Sequence, residues 1–390
     1  MHIVFITTDF IEKKGPTTGL PKYLLRVSTA LIRMGHEVSI ITGSNHTVFY
    51  EFSGINVYRI RRPAMKQYSE RRKNTIAECL RDGQILNQAL VELYKKEKID
   101  IVQYTSLRGL AFFHNLPVPA VTRLSSYAKM VTLDGQEIEK EVKAKFERAA
   151  VCNSNATFGP SEVVAREMSA DTGLHVDVIE SPFVMDDEEE DYSLFDECFA
   201  EKKYILFYGT LIKYKGLYVI ADAVHSMLDK YQDLHIGIIG NGDTGLIDLI
   251  KHNAGKHADR IIYHSAVGFS QLKPVICHAE SIMLPSLMEN LSNACIECMA
   301  LGQIVIGTRG ASFDQLIDDG QSGFLCEIGD SVSLSQAVDK VMALTTEQKK
   351  VICHNAQKRA ERLSPDIVVN QLIEYYKKVI NDFKTREEKK

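Results

Sequence analysis

Short β-rich runs alternate with amphipathic helical stretches along all 390 residues, and few folds tolerate that order. The alternation predicts βαβ units, whose strands run parallel because each crossover is long enough to carry a helix back to the same end of the sheet. Two series stand apart. "HIVFITT", "EVSIIT", "DIVQYT", "AVTRLS", "AAVCNS" and "VDVIES" make the first; "YILFYGT", "HIGIIG", "IIYHSA", "SIMLPS", "IVIGT" and "GFLCE" make the second. Between them "MDDEEEDYSLFDECFAEKK" is acidic and aperiodic, which suits a solvated linker. The predicted fold class is α/β, with two doubly wound, Rossmann-like domains facing a cleft. The boundaries read as 1–184 for the first domain, 185–200 for the acidic linker, 201–364 for the second domain and 365–390 for a closing helix.

The outermost helices can be read residue by residue. Leu20, Leu24, Val27, Leu31 and Met34 recur at steps of four and three, Pro21 suits a first turn, and Gly35 suits the stop. Near the other end Ser364-Pro365 opens a helix whose Val369, Leu372, Tyr376, Val379 and Phe383 form one stripe that needs a surface to cover. The closing "KTREEKK" reads as a frayed tail.

Several function classes are disfavoured. A formal charge of −5 argues against a dedicated nucleic-acid binder. No apolar run reaches the ~18 residues that span a bilayer, and "MHIVFITTDF" lacks a signal peptide's charged start, so a cytoplasmic enzyme is expected. Eight scattered cysteines do not form a disulfide framework. Cys295 and Cys298 make a C-x-x-C on a helical pattern without a second ligand pair, and read as core thiols; no metal cluster is expected.

The stretch with most chemical content is "LPSLMENLSNACIECMALGQIVIGT": a strand, the loop "LMEN", a helix from about Ser292 to Leu301, a stop at Gly302, and a further strand. Amides from Asn290 through Leu291, Ser292 and Asn293 to Ala294 lie at the helix start, where unpaired N–H groups and the helix dipole favour a phosphate. Glu289 stands just outside. Glu297 lies about one turn in, where a carboxylate can accept from both hydroxyls of a ribose. The bland alternative makes Glu289 an electrostatic cap and Glu297 a solvated side chain. "GNGDTG", with Gly240, Gly242 and Gly245, also satisfies G-x-G-x-x-G, but the acid expected ~20 residues on is missing after "IIYHSA".

The spacing of Glu289 and Glu297, after Pro285-Ser286 and before "CMALGQIVIGT", resembles the signature of the retaining family 4 glycosyltransferases, which have the GT-B fold. Cys298 and Gln303 replace the usual Ala and Pro. "YILFYGTLIKYKGLYVIADAV" is similar to the start of that family's nucleotide-binding half, with Gly209, Lys215 and Gly216 in place, Thr210 where an arginine is usual, and Lys213 left open as a substitute. "GPTTGLPKYLLRVSTALIRMGHEVSIIT" is similar to the acceptor half, with Thr18-Gly19 where two glycines are common. A histidine frequent after "VPAVT" is absent; Arg123, Leu124, Ser125, Ser126 and Tyr127 stand there, and Arg123, Ser125, Ser126 and Tyr127 become acceptor-side candidates.

The resemblance implies a retaining transferase that moves a sugar from a nucleotide diphosphate, a UDP-sugar by preference, to a hydroxyl of a bacterial surface glycan or glycolipid. It implies Lys215 and Glu289 at the reacting centre, and a donor site of Gly19, Gly209, Thr210, Lys215, Gly216, Gly240, Val267, Glu289, Asn290, Leu291, Ser292, Asn293 and Glu297. Backbone from Tyr263 to Val267 would hold the base. No metal or other cofactor is expected, and the last helix would pack back on the first domain. A non-catalytic nucleotide-sugar-binding partner subunit and a GT-B nucleotide-sugar 2-epimerase are the alternatives. From Arg59 to Lys73 seven of fifteen residues are basic, a solvated face or a peripheral contact with an anionic membrane or lipid-pyrophosphate acceptor.

Overall fold

Alternate residues of a strand face opposite sides, so a strand apolar throughout needs cover on both. A computed structural model, describing residues 1–10, 19–65, 71–130, 137–185 and 188–389, shows both faces of two sheets covered by helices. The chain divides into Met1–Pro182 with Ser364–Lys390, hereafter unit 1, and Phe183–Leu363, unit 2.

Unit 1 contains β1 (His2–Thr7), β2 (Glu37–Ser44), β3 (Val48–Phe52), β4 (Ile55–Arg61), β5 (Ile101–Thr105), β6 (Ala120–Arg123), β7 (Ala156–Gly159) and β8 (Asp177–Val178). Their order is β3-β4-β2-β1-β5-β6-β7-β8, parallel except for β3, which forms a hairpin with β4. The helices are α1 (Gly19–Arg33), α2 (Arg71–Tyr94), α3 (Glu137–Cys152) and α4 (Glu162–Thr172). Ile3 and Phe5 of β1 meet Leu24, Val27 and Leu31 of α1 on one face, while Val4 and Ile6 meet Leu86 and Leu90 of α2 on the other. Gly35, at φ 82°, ends the first turn beyond α1 as its sequence position predicts. One expected strand moves: most of "AAVCNS" is the end of α3, and β7 starts at Ala156. A short apolar run fits a helix end as well as a strand.

Unit 2 contains β9 (Lys203–Tyr208), β10 (Leu234–Ile239), β11 (Ile261–His264), β12 (Ser281–Met283), β13 (Val305–Thr308) and β14 (Phe324–Cys326). All pair in parallel, in the order β11-β10-β9-β12-β13-β14. Its helices are α5 (Leu217–Lys230), α6 (Gly245–Ala254), α7 (Phe269–Cys277), α8 (Asn293–Ala300), α9 (Ser331–Met342) and α10 (Thr346–Glu361). The strand order reverses between β9 and β12, which opens a crevice beyond their carboxyl ends.

The stretch read as a solvated linker is different in the structure. Leu194 and Phe199 are 4% and 1% exposed and join a core with Tyr204 and Leu206 of β9. Glu190 pairs with Lys273 at 2.9 Å, and the Asp191 amide donates to the Ser270 carbonyl. Its acids face outward while its few apolar residues anchor it to unit 2, so charge alone was misleading.

The last helix, α11 (Pro365–Glu387), belongs to unit 1. Val368, Val369, Leu372, Ile373, Tyr376 and Val379 are buried against the Ile3–Phe5 face, and the Tyr376 hydroxyl donates to Gln103 of β5. The tail expected to fray continues as helix to Glu387. Lys, Glu and Arg are good helix formers, and Lys384 and Arg386 suit the negative end. No helix among the described residues is long and apolar enough to cross a membrane.

Candidate functional site

The reversal point of unit 2 gathers the loops after β9 and β12, and most donor-site candidates lie on them. Gly216, at φ 78°, lets the chain turn into α5; a Cβ there would lie 1.9 Å from the Pro285 carbonyl oxygen. The two loops are thereby locked together, and the Leu287 amide donates to the Tyr214 carbonyl across the same join. The contact delivers Lys215 to Glu289: Nζ donates to the carboxylate, with 24% and 13% of the two side chains exposed. Ser286 Oγ donates to the same carboxylate oxygen at 3.0 Å, and Ser312 Oγ donates to the Glu289 carbonyl.

α8 begins three residues after Glu289's neighbour Asn290. Ser292 is its N-cap, accepting from the Cys295 amide at 3.3 Å, while the first-turn amides beyond it lack intrahelical acceptors. Asn290 and Leu291 are half-buried and Asn293 is exposed at this turn. Glu297, one turn in, is tied by the Tyr208 hydroxyl, which donates to its Oε2 at 3.0 Å and reaches the Ala294 carbonyl at 2.9 Å. Burial pushes the Tyr208 phenol up, and Cys298 and Glu297 push it further, so it stays a donor. Cys295 and Cys298 are buried and their thiols pushed up, as core packing requires.

Tyr208 also lines a pocket of about 350 Å³, with Gly209, Thr210, Ile239, Gly240, Asn241, Ala266, Val267 and Leu272. Glycine is obligatory at its floor, because a Cβ on Gly240 would lie 1.8 Å from the Gly209 carbonyl oxygen. Asn241 shapes the rim by accepting from the Ala266 amide at 3.0 Å. Thr210 is exposed there and supplies no charge.

The remaining candidates and the basic stretch belong to unit 1. Gly19 lies in unit 1, exposed at the start of α1, and Thr18 falls outside the described residues. Tyr127 and Arg123 are buried structural groups: Tyr127 is 0% exposed, bonded to Asp171 and Arg148, while Arg123 stacks on Tyr23 and donates to Ser125 and Ser181. Ser125 and Ser126 are half-buried, tied to Thr105 and Ser106. In the basic stretch, Arg59 is 6% exposed against Tyr50 and the Phe10 carbonyl, and Arg62 turns to Thr8 and Asp82; residues 66–70 lie outside the described residues. Tyr208 and Asn241 were not anticipated, since a strand-end tyrosine reads as core and nothing in the spacing links it to Glu297.

Comparisons with known proteins bear on the family and the fold. Residues 17–182 match the family Glycosyltransferase Family 4, and residues 202–343 match Glycosyl transferases group 1. The chain belongs to the family 4 glycosyltransferases, with the GT-B fold. The HepE protein of Anabaena, solved with UDP, superimposes with a TM-score of 0.68 at 16% identity, covering 97% of this chain and 100% of that one. The D-inositol 3-phosphate glycosyltransferase of Corynebacterium urealyticum is 24% identical over 45% of this chain. The phosphatidyl-myo-inositol mannosyltransferase of Mycobacterium leprae is 24% identical over 42% of it. Each match spans 43% of the relative's own length.

Proposed function

We propose that the protein transfers a sugar, with retention at the anomeric carbon, from a UDP-sugar to a hydroxyl of a glycan or glycolipid. The observation that carries this reading is the convergence at one sheet edge of Lys215, Glu289, the start of α8 and the Tyr208–Glu297 pair. In this reading the pocket takes the base, Glu297 accepts from the ribose, and the α8 amides with Lys215 take the diphosphate. As the bond to the leaving phosphate breaks, negative charge grows on the diphosphate, and preorganised donors stabilise it most where water is excluded. Lys215 would then exchange part of its bond to Glu289 for the phosphates, leaving Glu289 to position the transferred sugar. A carboxylate already engaged by Lys215 and Ser286 is a weak nucleophile. That favours attack from the face of departure over a covalent sugar–enzyme intermediate. The uridine preference draws on the UDP in the Anabaena structure and the acceptor class on the relatives' names. No metal is required in this proposal, and turnover should survive EDTA.

The deciding experiment screens UDP-, GDP-, ADP- and dTDP-sugars for slow hydrolysis by mass spectrometry. One donor should turn over, with a loss of about 10²–10³ in Lys215→Ala and a fall in Glu289→Gln. Nucleotide binding with no turnover of any donor, with or without acceptor, would mark a binding subunit. Epimer formation from donor alone would mark a 2-epimerase.

A further inference from the structure

Three arginines meet on one buried carboxylate at the carboxyl edge of the eight-stranded sheet. Asp82, on α2, is 0% exposed; Arg81 Nε donates to its Oδ1 at 2.8 Å and Arg108 Nη1 donates to its Oδ2. Arg62 Nε stands 3.5 Å from Oδ2, while Arg62 Nη2 reaches the Thr8 carbonyl at 2.6 Å. Arg62 directly follows β4, Thr8 directly follows β1, and Arg108 lies just past β5. These strands run in one direction, so the cluster occupies the edge where open α/β sheets receive ligands.

One carboxylate needs one cation to balance it. Further guanidiniums add repulsion and desolvation: burial lowers the Arg62 pKa, Asp82 offsets part of that, and Arg108 and Arg81 lower it again. Among the described residues the other acids at the cluster are Glu78, 3.6 Å from Arg108 Nη2 and 42% exposed, and Asp9, exposed near Arg62. Arg81 Nη1 also reaches the Pro63 carbonyl at 3.5 Å; each guanidinium carries about five N–H donors, more than Asp82, Glu78, Thr8 and Pro63 accept among the described residues. Arg62 Nε is buried and, beyond its 3.5 Å approach to Asp82, makes no hydrogen bond among the described residues.

The backbone is shaped around this arrangement. A Cβ on Gly43, near the end of β2, would lie 2.2 Å from Arg62 Nε, so the guanidinium occupies the space a side chain would fill. Arg108 itself is left-handed, at φ 61°, a conformation unusual for a residue with a side chain and one that has to be held by its surroundings. Gly109 follows at φ 65° because the Phe146 carbonyl leaves no room for a Cβ.

We propose that Arg62, Arg81 and Arg108 form a phosphate-binding site for the acceptor, with Asp82 holding the guanidiniums apart and oriented. Their planar forks match phosphate oxygens in pairs, which a lysine cluster does not. The proposal rests on the transferase reading, which supplies an acceptor; it adds that the acceptor bears a phosphate, free or as a lipid headgroup.

Calorimetric titration of the full chain with glycerol phosphate, in saturating UDP so that the donor site is filled, tests the free form. Co-sedimentation with vesicles containing phosphatidylinositol, against phosphatidylcholine alone, tests the headgroup. Arg62→Gln is the informative variant, since Asp82 keeps both of its hydrogen-bonded arginines; Arg62→Lys preserves charge without the fork. At least one phosphate source should bind the wild type and bind Arg62→Gln about tenfold or more weakly, with Arg62→Lys between them and UDP affinity unchanged in all three. Absence of binding to both sources with UDP still bound, or equal binding in all variants, overturns the arginine site and leaves the transferase reading intact. Failure of the wild type to bind any nucleotide would strike at the transferase reading instead.

Discussion

The two parallel sheets end in edges made of different materials. In unit 2 the edge is backbone: Gly216, Gly240 and Gly242 let strand ends and loops approach more closely than any side chain permits, and the Lys215–Glu289 pair and Glu297 supply charge. In unit 1 the edge is side chain: arginines on Asp82, Arg123 over Tyr23, and a hydroxyl network of Thr105, Ser106 and Ser125. A backbone-made site dictates glycine at fixed positions. A side-chain-made site can be rebuilt without moving the chain.

The units also differ in closure, and removing α11 tests that difference with the largest effect. Deleting Asp366 onward strips six buried side chains from unit 1. At about 1.5–3 kcal/mol each, their loss rivals the ~5–15 kcal/mol that holds a domain together. Calorimetry should show one transition lost and the other, from unit 2, kept; an unchanged trace would mean the helix contributes nothing to the core.

Backbone construction leaves little tolerance, so Gly216→Ala should cost roughly 2–4 kcal/mol through its left-handed φ and the Pro285 collision. A urea midpoint within error of wild type would break that side of the comparison.

Side-chain construction also leaves a buried acid in unit 1. Burial pushes the Glu147 carboxyl up from 4.5 to about 8, against a stabilising bond from the Ala128 amide. Folded Glu147 is therefore neutral at pH 7 while the unfolded group is ionised. Its contribution is full below about 4.5, falls as pH rises toward about 8, and is level beyond. Glu147→Gln should gain more than about 1 kcal/mol at pH 8 and much less at pH 5. An equal shift at both pH values would assign the effect to packing.

The smallest expected change is in Tyr208→Phe, which removes one donor from Glu297 while keeping the ring in the pocket wall. One hydrogen bond to a charged group is worth about 1.5–3 kcal/mol at most, so UDP affinity should fall about tenfold with melting nearly unchanged. Unaltered affinity would place Glu297 outside the nucleotide contact.

The same contrast explains what could be read from the chain. The Glu289–Glu297 spacing and the start of α8 were legible because one βαβ turn fixes them within a short segment, and Gly216 because its own strand-to-helix turn does the same. Tyr208 is 89 residues from Glu297, and Arg62, Arg81 and Arg108 lie on three separate elements, so only the folded sheet brings either group together. The β3–β4 hairpin was missed because it interrupts a parallel series; Ser53 and Gly54, both at positive φ, mark its turn. Arg123 and Tyr127 misled because a polar loop after a strand looks like a site until burial shows its side chains turned inward.

Unit 1 is assembled from two stretches separated by all of unit 2, and this has a bearing on synthesis. Residues Phe183–Leu363 can fold as soon as they leave the ribosome, since their core needs nothing later in the chain. The first stretch, although made earlier, must wait with its Ile3–Phe5 face covered by α1 but lacking the six buried side chains of α11 until Pro365–Glu387 arrives. Order of manufacture and order of completion are thus reversed, and a translation stop shortly before the end yields a finished unit 2 joined to a unit 1 that chaperones and proteases will recognise as incomplete.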